Sequence, residues 1–472
     1  MSRSERGSAL ILALVLSMVM MVLALGIAFV NTTDTVAADD MIAHGQALAV
    51  AEAGLAEAQR ALRGREIDDL LNLEGTLPLF VGDGPSTYRD PVDLLDARSV
   101  DYNNPPAPKG SLQLRGLLTP GTGVALQGGH YFVRISDNDD GDGDLLRDSD
   151  AKFFIRAVGV FPCLPQETLT SAGSRLRNAV AVIEALFHRD LSLNVSAPFM
   201  IGGRDAEPAQ NSFFNGNSFT LNGYDHSGMT LDEILRGGHR HDSEHAQAGF
   251  SAVFDDPEGG DAGSLLQTVY ESLSRNEYNN IVGDEGAYGR TPSMRDDTET
   301  LRNSEFEDAQ NLLNPAFLND FIRRVRVAAD RVYPDGTSLS GSDAQLGTEE
   351  EPWVVVAEGD LSVSGNGFGC GLLVVRGELS YQGAFNFNGL ILVLGEGVAD
   401  VGGANKSVVG GMFVANIEED EEGNPSFGTA RFTLSGNSNF FFRGASIRMA
   451  VNLLPLKMLS WREITAEIMP PA

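Results

Sequence analysis

The sequence predicts an α+β protein with three parts: a long N-terminal membrane-spanning helix, an antiparallel sheet with an acidic loop, and a C-terminal β-solenoid. Three observations carry this prediction. No residue in 9–30 is charged, two runs of β-forming residues flank an aspartate-rich segment, and short apolar runs closed by glycine recur at a fixed period after Trp353. A β-sandwich is the alternative for the C-terminal part.

Composition limits the classes of function. The chain has 472 residues, 42% of them hydrophobic, which excludes a wholly disordered protein and suffices for two or three domains. Lys and Arg number 34 against 65 Asp and Glu, so the net charge is −31. We therefore expect no nucleic-acid partner, because phosphate binding needs Lys and Arg. Two cysteines, Cys163 and Cys370, are too few for a disulfide framework, and whether they pair stays open.

The uncharged N-terminal segment is long enough to cross a bilayer. As a helix, residues 9–30 would span about 33 Å, against a bilayer core of ~30 Å. The apolar core of a cleavable secretory signal has only ~7–15 residues, so we expect a single-span anchor. A signal-peptide cut near Ala37 is the alternative. Arg3 and Arg6 precede the span, which predicts a cytoplasmic N-terminus and an exported remainder.

The helix is expected to continue to residue 64. Large apolar residues recur every seven positions with alanines between them, which predicts a narrow apolar stripe for packing on a core or in a bundle of like helices. Gly64, beside Arg63 and Arg65, is typical of a helix C-terminus. The stripe comprises Met41, Leu48, Leu55 and Leu62, with Ala47, Ala51, Ala58 and Ala61 between them.

The first 62 residues resemble those of PilX-type minor pilins. The resemblance rests on the run Arg6-Gly7-Ser8-Ala9-Leu10-Ile11-Leu12, the apolar helix after it, and Ala51-Glu52-Ala53-Gly54-Leu55. It implies a leader of residues 1–7, cut by prepilin peptidase between Gly7 and Ser8. It also implies a helix of residues 8–64 that joins other pilins or minor pilins in a filament core.

One position departs from the pattern of major pilins. Those proteins carry a Glu at the fifth mature position, where this chain has Leu12. PilX-type proteins and the tip-located K-type minor pseudopilin of type II secretion are similar to this chain in lacking that Glu. The departure implies a tip or priming position rather than a bulk filament subunit.

Residues 65–190 are expected to form a pilin-like α+β region, as the resemblance implies. Runs of β-forming residues at 131–135 and 152–158 predict two strands, and residues 175–188 predict a third. Between the first two lie seven aspartates and one arginine in fourteen residues, which repel one another unless cations bind.

This aspartate-rich segment is a candidate calcium loop. Alternate oxygen-bearing side chains followed by Gly143 match the start of a calcium loop. Position 12 of that loop is Ser149 instead of Glu, and the flanks are strands, so the segment is not an EF-hand. We expect a related hard-cation loop, and a solvated acidic hairpin tip is the alternative. The candidate calcium ligands are Asn138, Asp140, Asp142, Asp144, Asp148 and Asp150.

The middle of the chain is less regular. Residues 191–228 are expected to form a first β-coil, and residues 229–350 a polar, partly helical insertion with helical spacing at 231–235, 265–274 and 317–332. A histidine-rich cluster in this insertion lacks the helical spacing of a zinc site, which favours a polar loop. Its members are His239, His241, Asp242, Glu244 and His245.

Residues 351–472 carry an internal repeat. The segment that begins at Leu361 recurs at Leu379, and the segment that begins at Gly371 recurs at Gly389, both with an offset of 18. A fixed period of apolar runs predicts stacked β-coils, each buried against its neighbours, in a solenoid of three to five coils. Trp461 is expected to cap the last coil as a core aromatic.

These features predict a non-enzymatic minor pilin-like subunit at the tip of, or priming, a type IV pilus or related filament. We expect it in the inner membrane with an exported acidic head, and later in the pilus or at the cell surface. The expected partners are other pilins, prepilin peptidase, and a surface ligand that the head contacts in adhesion. The alternatives are a membrane-anchored β-solenoid enzyme acting on glycans and a tip minor pseudopilin of a type II secretion system.

Overall fold

A computed structural model describes residues 3–71, 118–119, 124–138, 148, 150–162, 178–189, 193–216, 218–237, 246–254, 262–284, 290–304, 307–403, 406–419 and 423–464. The helices in these residues are α1 (Arg3–Ala61), α2 (Ile67–Leu71), α3 (Leu231–Leu235), α4 (Ala262–Ser272), α5 (Thr298–Arg302), α6 (Pro315–Ala328) and α7 (Gly444–Asn452). The strands are β1 (Val124–Leu126), β2 (Gly129–Asp137), β3 (Lys152–Pro162), β4 (Asn178–His188), β5 (Phe199–Gly202), β6 (Asp205–Pro208), β7 (Phe214–Asn215), β8 (Thr220–Asn222), β9 (Phe250–Val253), β10 (Ile281–Val282), β11 (Met294–Asp296), β12 (Arg331–Tyr333), β13 (Thr337–Ser340), β14 (Gln345–Leu346), β15 (Trp353–Ala357), β16 (Leu361–Ser364), β17 (Phe368–Val375), β18 (Glu378–Gln382), β19 (Asn386–Gly395), β20 (Val398–Gly402), β21 (Lys406–Glu419), β22 (Pro425–Phe427), β23 (Thr429–Ser435), β24 (Ser438–Phe442) and β25 (Lys457–Glu463).

The chain forms two compact units. Unit 1 comprises Met1–Ala61, Asp68–Phe187 and Met458–Ala472, and unit 2 comprises Leu62–Ile67 and His188–Lys457. The α+β prediction is confirmed, because a long apolar helix stands beside both antiparallel and parallel sheets.

In unit 1, the C-terminal half of α1 packs on an antiparallel sheet with the strand order β1-β2-β3-β4-β25. The strands predicted at 131–135, 152–158 and 175–188 are confirmed as β2, β3 and β4. β2 and β3 pair from His130 opposite Val160 to Asp137 opposite Phe153. The segment between them therefore leaves the sheet at Asp137 and returns at Lys152.

The stripe predicted on α1 is confirmed in part. Leu55, Leu62 and the alanines at 47, 51 and 58 of the predicted stripe are buried, whereas Met41 is 77% exposed and Leu48 is half-buried, so the stripe holds only in its C-terminal part and through its alanines. The buried face is mostly alanine because the helix lies very close to the sheet: a Cβ on Gly159 of β3 would lie 2.0 Å from the Ala47 carbonyl oxygen. The buried residues of α1 are Ala43, Ala47, Val50, Ala51, Gly54, Leu55 and Ala58.

Unit 2 is built from two parallel sheets, and successive strands from β15 to β21 alternate between them. We call this arrangement the parallel stack. The members of each repeat lie opposite one another: Leu361 of β16 pairs with Leu379 of β18, and Gly371 of β17 with Gly389 of β19. Each offset of 18 residues is thus one complete turn of the chain through both sheets.

A column of glycines explains why part of the repeat cannot vary in residue type. Gly371, Gly389 and Gly410 lie in register on neighbouring strands, with φ of 122°, 141° and 133°. A Cβ on Gly389 would lie 2.0 Å from the carbonyl oxygen of Gly371. Glycine is required there both by the positive φ and by the close approach of the next strand.

The strands β15, β17, β19 and β21 are buried on both faces. Leu373 and Val375 of β17 face the interior of the parallel stack, whereas Leu372 and Val374 pack on its outside. Helices α6 and α7 cover that outer face with Phe321 among their buried residues. In the other sheet, strands β16 and β18 instead alternate buried side chains with exposed or partly exposed ones.

The order of strands in space differs from their order in the chain. β5 pairs with β21, β6 with β23 and β8 with β24, so residues 199–222 extend the stack beyond residue 442. Within residues 229–350, β9 and β10 add to this end, while β12, β13 and β14 pair with β15, β16 and β17 at the other. The region therefore supplies strands of the parallel sheets besides its helices.

Candidate functional site

The N-terminal half of α1 is one candidate functional element. From Leu14 to Val30 its side chains are exposed, including Val22 at 68% and Phe29 at 75%. In the described part of the chain, this helix is long and apolar enough to cross a membrane. The predicted cleavage site, Gly7 and Ser8, lies near its start within the helical backbone. Peptidase cleavage there stays a prediction.

The ends of β2 and β3 bring part of the predicted calcium loop together. Asn138 follows β2, and Asp148 and Asp150 precede β3. Asn138 Nδ2 donates to Asp150 Oδ2 at 3.3 Å, and the Lys152 amide donates to Asp148 Oδ1 at 3.1 Å and to Asp150 Oδ1 at 3.0 Å. Asp140, Asp142 and Asp144 lie outside the described residues.

A carboxylate that the sequence did not single out also reaches this site. Asp68, in the short helix α2, accepts a hydrogen bond from the Asp148 amide at 2.8 Å. Asp137, the last residue of β2, is buried with 6% of its surface exposed. Asp68 is 80 residues away in the chain, so no local spacing could reveal it.

The electrostatics of the site centre on Asp148. Burial raises the pKa of its carboxyl to about 7, with further increases from the nearby charges of Asp150, Asp137 and Asp68. The hydrogen bond from the Lys152 amide only partly offsets this increase. Four carboxylates crowd together in a partly desolvated place, where a bound cation would relieve their repulsion.

The described residues of this site do not form a complete metal site by themselves. Within the described residues, no group of three or more His, Cys, Asp or Glu side chains is arranged to hold a metal ion. The Asn138 Oδ1 atom is buried and has no hydrogen-bond partner in the described structure, as expected of an oxygen left for a ligand or water. The predicted ligands at 140, 142 and 144 lie outside the described residues, and calcium binding stays a prediction.

Three other residues or clusters considered from the sequence have different outcomes. The histidine-rich cluster, at 239–245, and Cys163 lie outside the described residues. Cys370 is a free, buried thiol whose pKa is raised to about 12, first by burial and then by the Glu349 charge, so it is unreactive.

The expectation for Trp461 is wrong. It does not cap the parallel stack: it lies on β25, the outer strand of the antiparallel sheet in unit 1, and is 45% exposed. Its position follows from the long-range pairing of β25 with β4, across the whole of unit 2 in the sequence. The sequence around Trp461 gives no sign of this pairing, because the partner strand lies far away in the chain.

Comparison with known proteins adds little to these observations. No protein-family model matches the chain, and no curated protein matches it. Among solved structures, the crystal structure of the competence-associated pilin ComZ from Thermus thermophilus aligns over 89% of this chain and 97% of that chain, with 12% identity and a TM-score of 0.20. At that TM-score the similarity does not establish a shared fold or function.

Proposed function

We propose that this chain is a non-enzymatic, minor pilin-like subunit that is anchored in the inner membrane and then assembled with other pilins. The observation that carries the proposal is a single helix with two environments. Its residues 14–30 are exposed and mostly apolar. Its residues 43–58 instead pack against an antiparallel sheet through a face that consists mainly of alanines. A membrane or a bundle of like helices would cover the first part.

The proposed position is at the tip of the filament or in its priming complex. Leu12 stands where major pilins have the Glu that pairs with a neighbouring subunit. Unit 2, with 188–457 as its main segment, is also far larger than the sheet of unit 1. A head of that size would crowd its neighbours at internal positions, which favours a site with fewer of them.

Unit 2 is proposed to be a β-solenoid that presents surfaces for adhesion. Its strands alternate between two parallel sheets, with the repeats in register at 18-residue intervals. Solenoids use such extended faces for binding. The non-enzymatic proposal predicts no turnover of acidic or neutral polysaccharide by the purified chain, whereas the alternative of a glycan-active enzyme predicts degradation.

The mature N-terminus of the membrane-extracted protein tests the pilin proposal. Mass spectrometry should find a start at Ser8 in a host with prepilin peptidase and the uncut leader in a host without it. A Gly7→Trp variant should keep the leader, with a Ser4→Ala variant as the matched control that is still cut. An intact Met1 in both hosts, or a start near Asp39, would contradict the proposal.

A deletion strain separates the two filament systems. Loss of pili with normal exoprotein release supports a pilus subunit, whereas a block in exoprotein release identifies a tip pseudopilin of type II secretion. Whichever defect the deletion causes should be reversed by expressing the intact chain, so that effects on neighbouring genes are excluded.

We further propose that the acidic loop binds calcium through Asn138, Asp140, Asp142, Asp144, Asp148 and Asp150. The crowding of carboxylates around Asp148 and the buried Asn138 Oδ1 support this proposal. Exported proteins meet millimolar calcium, so a site with a Kd of ~10⁻⁴–10⁻³ M would be filled. Bound calcium would fix the loop between β2 and β3.

A further inference from the structure

The outer face of the second parallel sheet in unit 2 carries a row of polar side chains. In strands β13, β16, β18, β20 and β23, alternate side chains belong to the apolar interior of the parallel stack, so the side chains between them point outward. One outward row crosses these strands in register, and four strand spacings of ~4.8 Å make it about 19 Å long. Its members are Ser338, Ser362, Ser380, Asp400 and Thr433.

Asp400, the carboxylate of this row, is buried although it points outward. Only 7% of its surface is exposed. Two glutamine amides bind one of its oxygens: Gln210 Nε2 donates to Asp400 Oδ2 at 2.6 Å, and Gln382 Nε2 donates to the same oxygen at 3.2 Å. The carboxylate is therefore fixed in one orientation.

Polar groups flank Asp400 on both sides. On the side of β23, the Gln210 amide nitrogen donates to Thr433 Oγ1 at 2.9 Å, and Thr433 Oγ1 donates to the Ser212 carbonyl oxygen at 3.0 Å. On the side of β18, the Gln382 side chain lies over Gly402, where a Cβ would be 2.5 Å from its Oε1 atom. Glycine at 402 thus leaves the space that the Gln382 amide needs to reach Asp400.

The second carboxylate oxygen of Asp400 has no donor. Oδ1 is buried, and in the part of the chain that the structure describes it accepts no hydrogen bond. Buried polar atoms in native proteins are nearly always paired, so an oxygen of this kind indicates a donor from a ligand or from water. Gln210 is exposed, so a ligand can reach the carboxylate by moving one surface side chain.

The donor that fits Asp400 is a neutral hydroxyl group. Within the described residues, no three carboxylate, imidazole or thiol groups are arranged to hold a metal ion. An anion is disfavoured as well, because carboxylates crowd this face: burial raises the pKa of Glu378, and the charges of Asp360 and Asp400 raise it further. A hydroxyl group can donate to Asp400 and accept from the Gln210 amide at the same time.

We propose that this polar face binds a neutral glycan, with Asp400 and Gln210 holding its hydroxyl groups. The proposal rests on the adhesive role proposed for unit 2 and gives that role a class of ligand. A sugar hydroxyl enters beside Gln210, donates to Asp400 Oδ1 and accepts from the Gln210 amide. The exposed hydroxyls of Ser338 and Ser362 extend the contact along the sheet. Repeat proteins use extended surfaces of this kind for binding.

Affinity electrophoresis of the full chain in mild detergent tests the proposal. The native gels contain dextran, mannan, soluble starch or hydroxyethylcellulose as neutral probes, and hyaluronan as the acidic control. We expect slower migration in at least one neutral gel and unchanged migration with hyaluronan, because the carboxylates of this face repel an acidic polymer. Unchanged migration in all four neutral gels, or an equal effect of hyaluronan, would overturn the proposal.

An Asp400→Ser variant separates ligand binding from a structural role. Serine occupies the same register position in β16 and β18, so the sheet accepts it. The variant should bind the retarding polysaccharide about ten-fold more weakly, because the charged acceptor is lost. A lowered unfolding temperature with unchanged binding would show that Asp400 serves the fold alone, and would overturn the proposal.

A pair of exposed glutamines gives a second comparison. Gln210→Ala should weaken binding about three-fold, because it removes one hydrogen bond to the sugar. Gln267→Ala is the matched control on α4, where Gln267 Nε2 likewise donates to a carboxylate, Glu271 Oε1, at 2.7 Å, and it should bind like wild type. Should Asp400→Ser fail to fold, equal binding by Gln210→Ala and Gln267→Ala would overturn the proposal.

Glycan binding and leader cleavage are independent measurements. A chain that binds none of the four neutral polysaccharides but starts at Ser8 has no glycan site and remains a pilin-like subunit. A chain that binds one of them while it keeps Met1 in a host with prepilin peptidase has the glycan site without being a processed pilin.

Discussion

Arg63 and Asp330 are 267 residues apart in the sequence and form a two-point ion pair, with Arg63 Nη1 donating to Asp330 Oδ1 at 3.0 Å and Nη2 to Oδ2 at 2.5 Å. Arg63 Nε also donates to the Leu453 carbonyl oxygen at 3.1 Å, and the Val354 amide donates to Asp330 at 2.8 Å. Together these contacts make residues 62–67 part of unit 2. The turn after the long helix is thus joined to strands and a helix near the end of the chain.

Replacing Asp330 by Asn should destabilise unit 2 by about 1–2 kcal/mol at pH 7. Burial alone would raise the Asp330 pKa, but the hydrogen bonds from Arg63 and the Val354 amide outweigh burial and lower the pKa. A lowered folded-state pKa gives stability that is present above the unfolded pKa of about 4 and lost below it. The difference between wild type and Asp330→Asn should therefore shrink as the pH falls below 4.

Urea unfolding followed by Trp353 fluorescence, in a Trp461→Phe background, measures this effect. Asp320→Asn is the matched control, because Asp320 pairs with Arg323 and Arg324 on the exposed surface of α6 and should change stability by less than about 0.5 kcal/mol. If the two variants lost the same free energy of unfolding, the Arg63–Asp330 ion pair would contribute no more to stability than an exposed ion pair.

The sequence predicted the features that local periodicity determines. The 18-residue repeat placed Leu361 opposite Leu379 and Gly371 opposite Gly389, because every coil of a stack meets the next at the same offset. The strands β2, β3 and β4 were predicted for a similar reason, since runs of β-forming residues mark a half-buried strand. In each case the partner lay close in the chain or in a repeat of it.

The sequence could not predict pairings that depend on tertiary contacts alone. β5 pairs with β21, and β25 pairs with β4, although more than 200 residues separate the members of each pair. Asp68 reaches Asp148 through the packing of α2, and no spacing rule connects them. The seven-residue repeat of α1 also included Met41, which is exposed, because the repeat alone could not show that the close contact with the sheet is made mainly by the alanines of the stripe.

Substituting Gly159 by Val should destabilise unit 1 by more than about 3 kcal/mol or prevent its folding. A Cβ there would lie 2.0 Å from the Ala47 carbonyl oxygen and 2.6 Å from the Ala51 amide nitrogen, and both are backbone atoms that cannot move aside. Thermal unfolding followed by Trp461 in a Trp353→Phe background reports on this unit. Gly45→Ala, on helix α1, is the control: nothing lies within 4 Å of a Cβ built there, so the change should stabilise by about 0.5–1 kcal/mol. A tolerated Gly159→Val would mean that α1 does not lie on β3.

Lys406 should make the stability of unit 2 rise with pH above 7. Burial lowers the pKa of its ammonium to about 7, and attraction by Asp400 only partly opposes this. The folded state then binds fewer protons than the unfolded state between pH 7 and about 10.5, so stability increases across that window. Lys406 Nζ donates to the Tyr381 carbonyl oxygen at 3.3 Å inside the parallel stack.

Two variants of Lys406 check that effect through urea unfolding at pH 7 and pH 9. Lys406→Met should stabilise unit 2 by about 1–4 kcal/mol at pH 7 and remove the rise with pH. Lys406→Arg keeps a charge at both pH values, so it should be less stable than wild type at pH 9 by more than at pH 7. A wild-type profile that is flat between these pH values would contradict the low pKa.

Calcium should stabilise unit 1 by about 1–3 kcal/mol when it is supplied at ten to a hundred times its Kd. The carboxyl of Asp148 has a pKa raised to about 7, so the folded state binds an extra proton between pH 4 and 7. Without calcium, the stability of unit 1 should therefore fall as the pH rises through that window, because the ionised carboxylates repel one another. An Asp148→Asn variant removes this ionisation and should show neither the fall with pH nor the response to calcium. Differential scanning fluorimetry with calcium, with magnesium, and with an Asp232→Asn control on the exposed surface of α3 measures each effect. A calcium response that persists in Asp148→Asn would leave the acidic loop as a solvated hairpin tip, and an equal response to magnesium at the same concentration would show that the stabilisation is not specific to calcium.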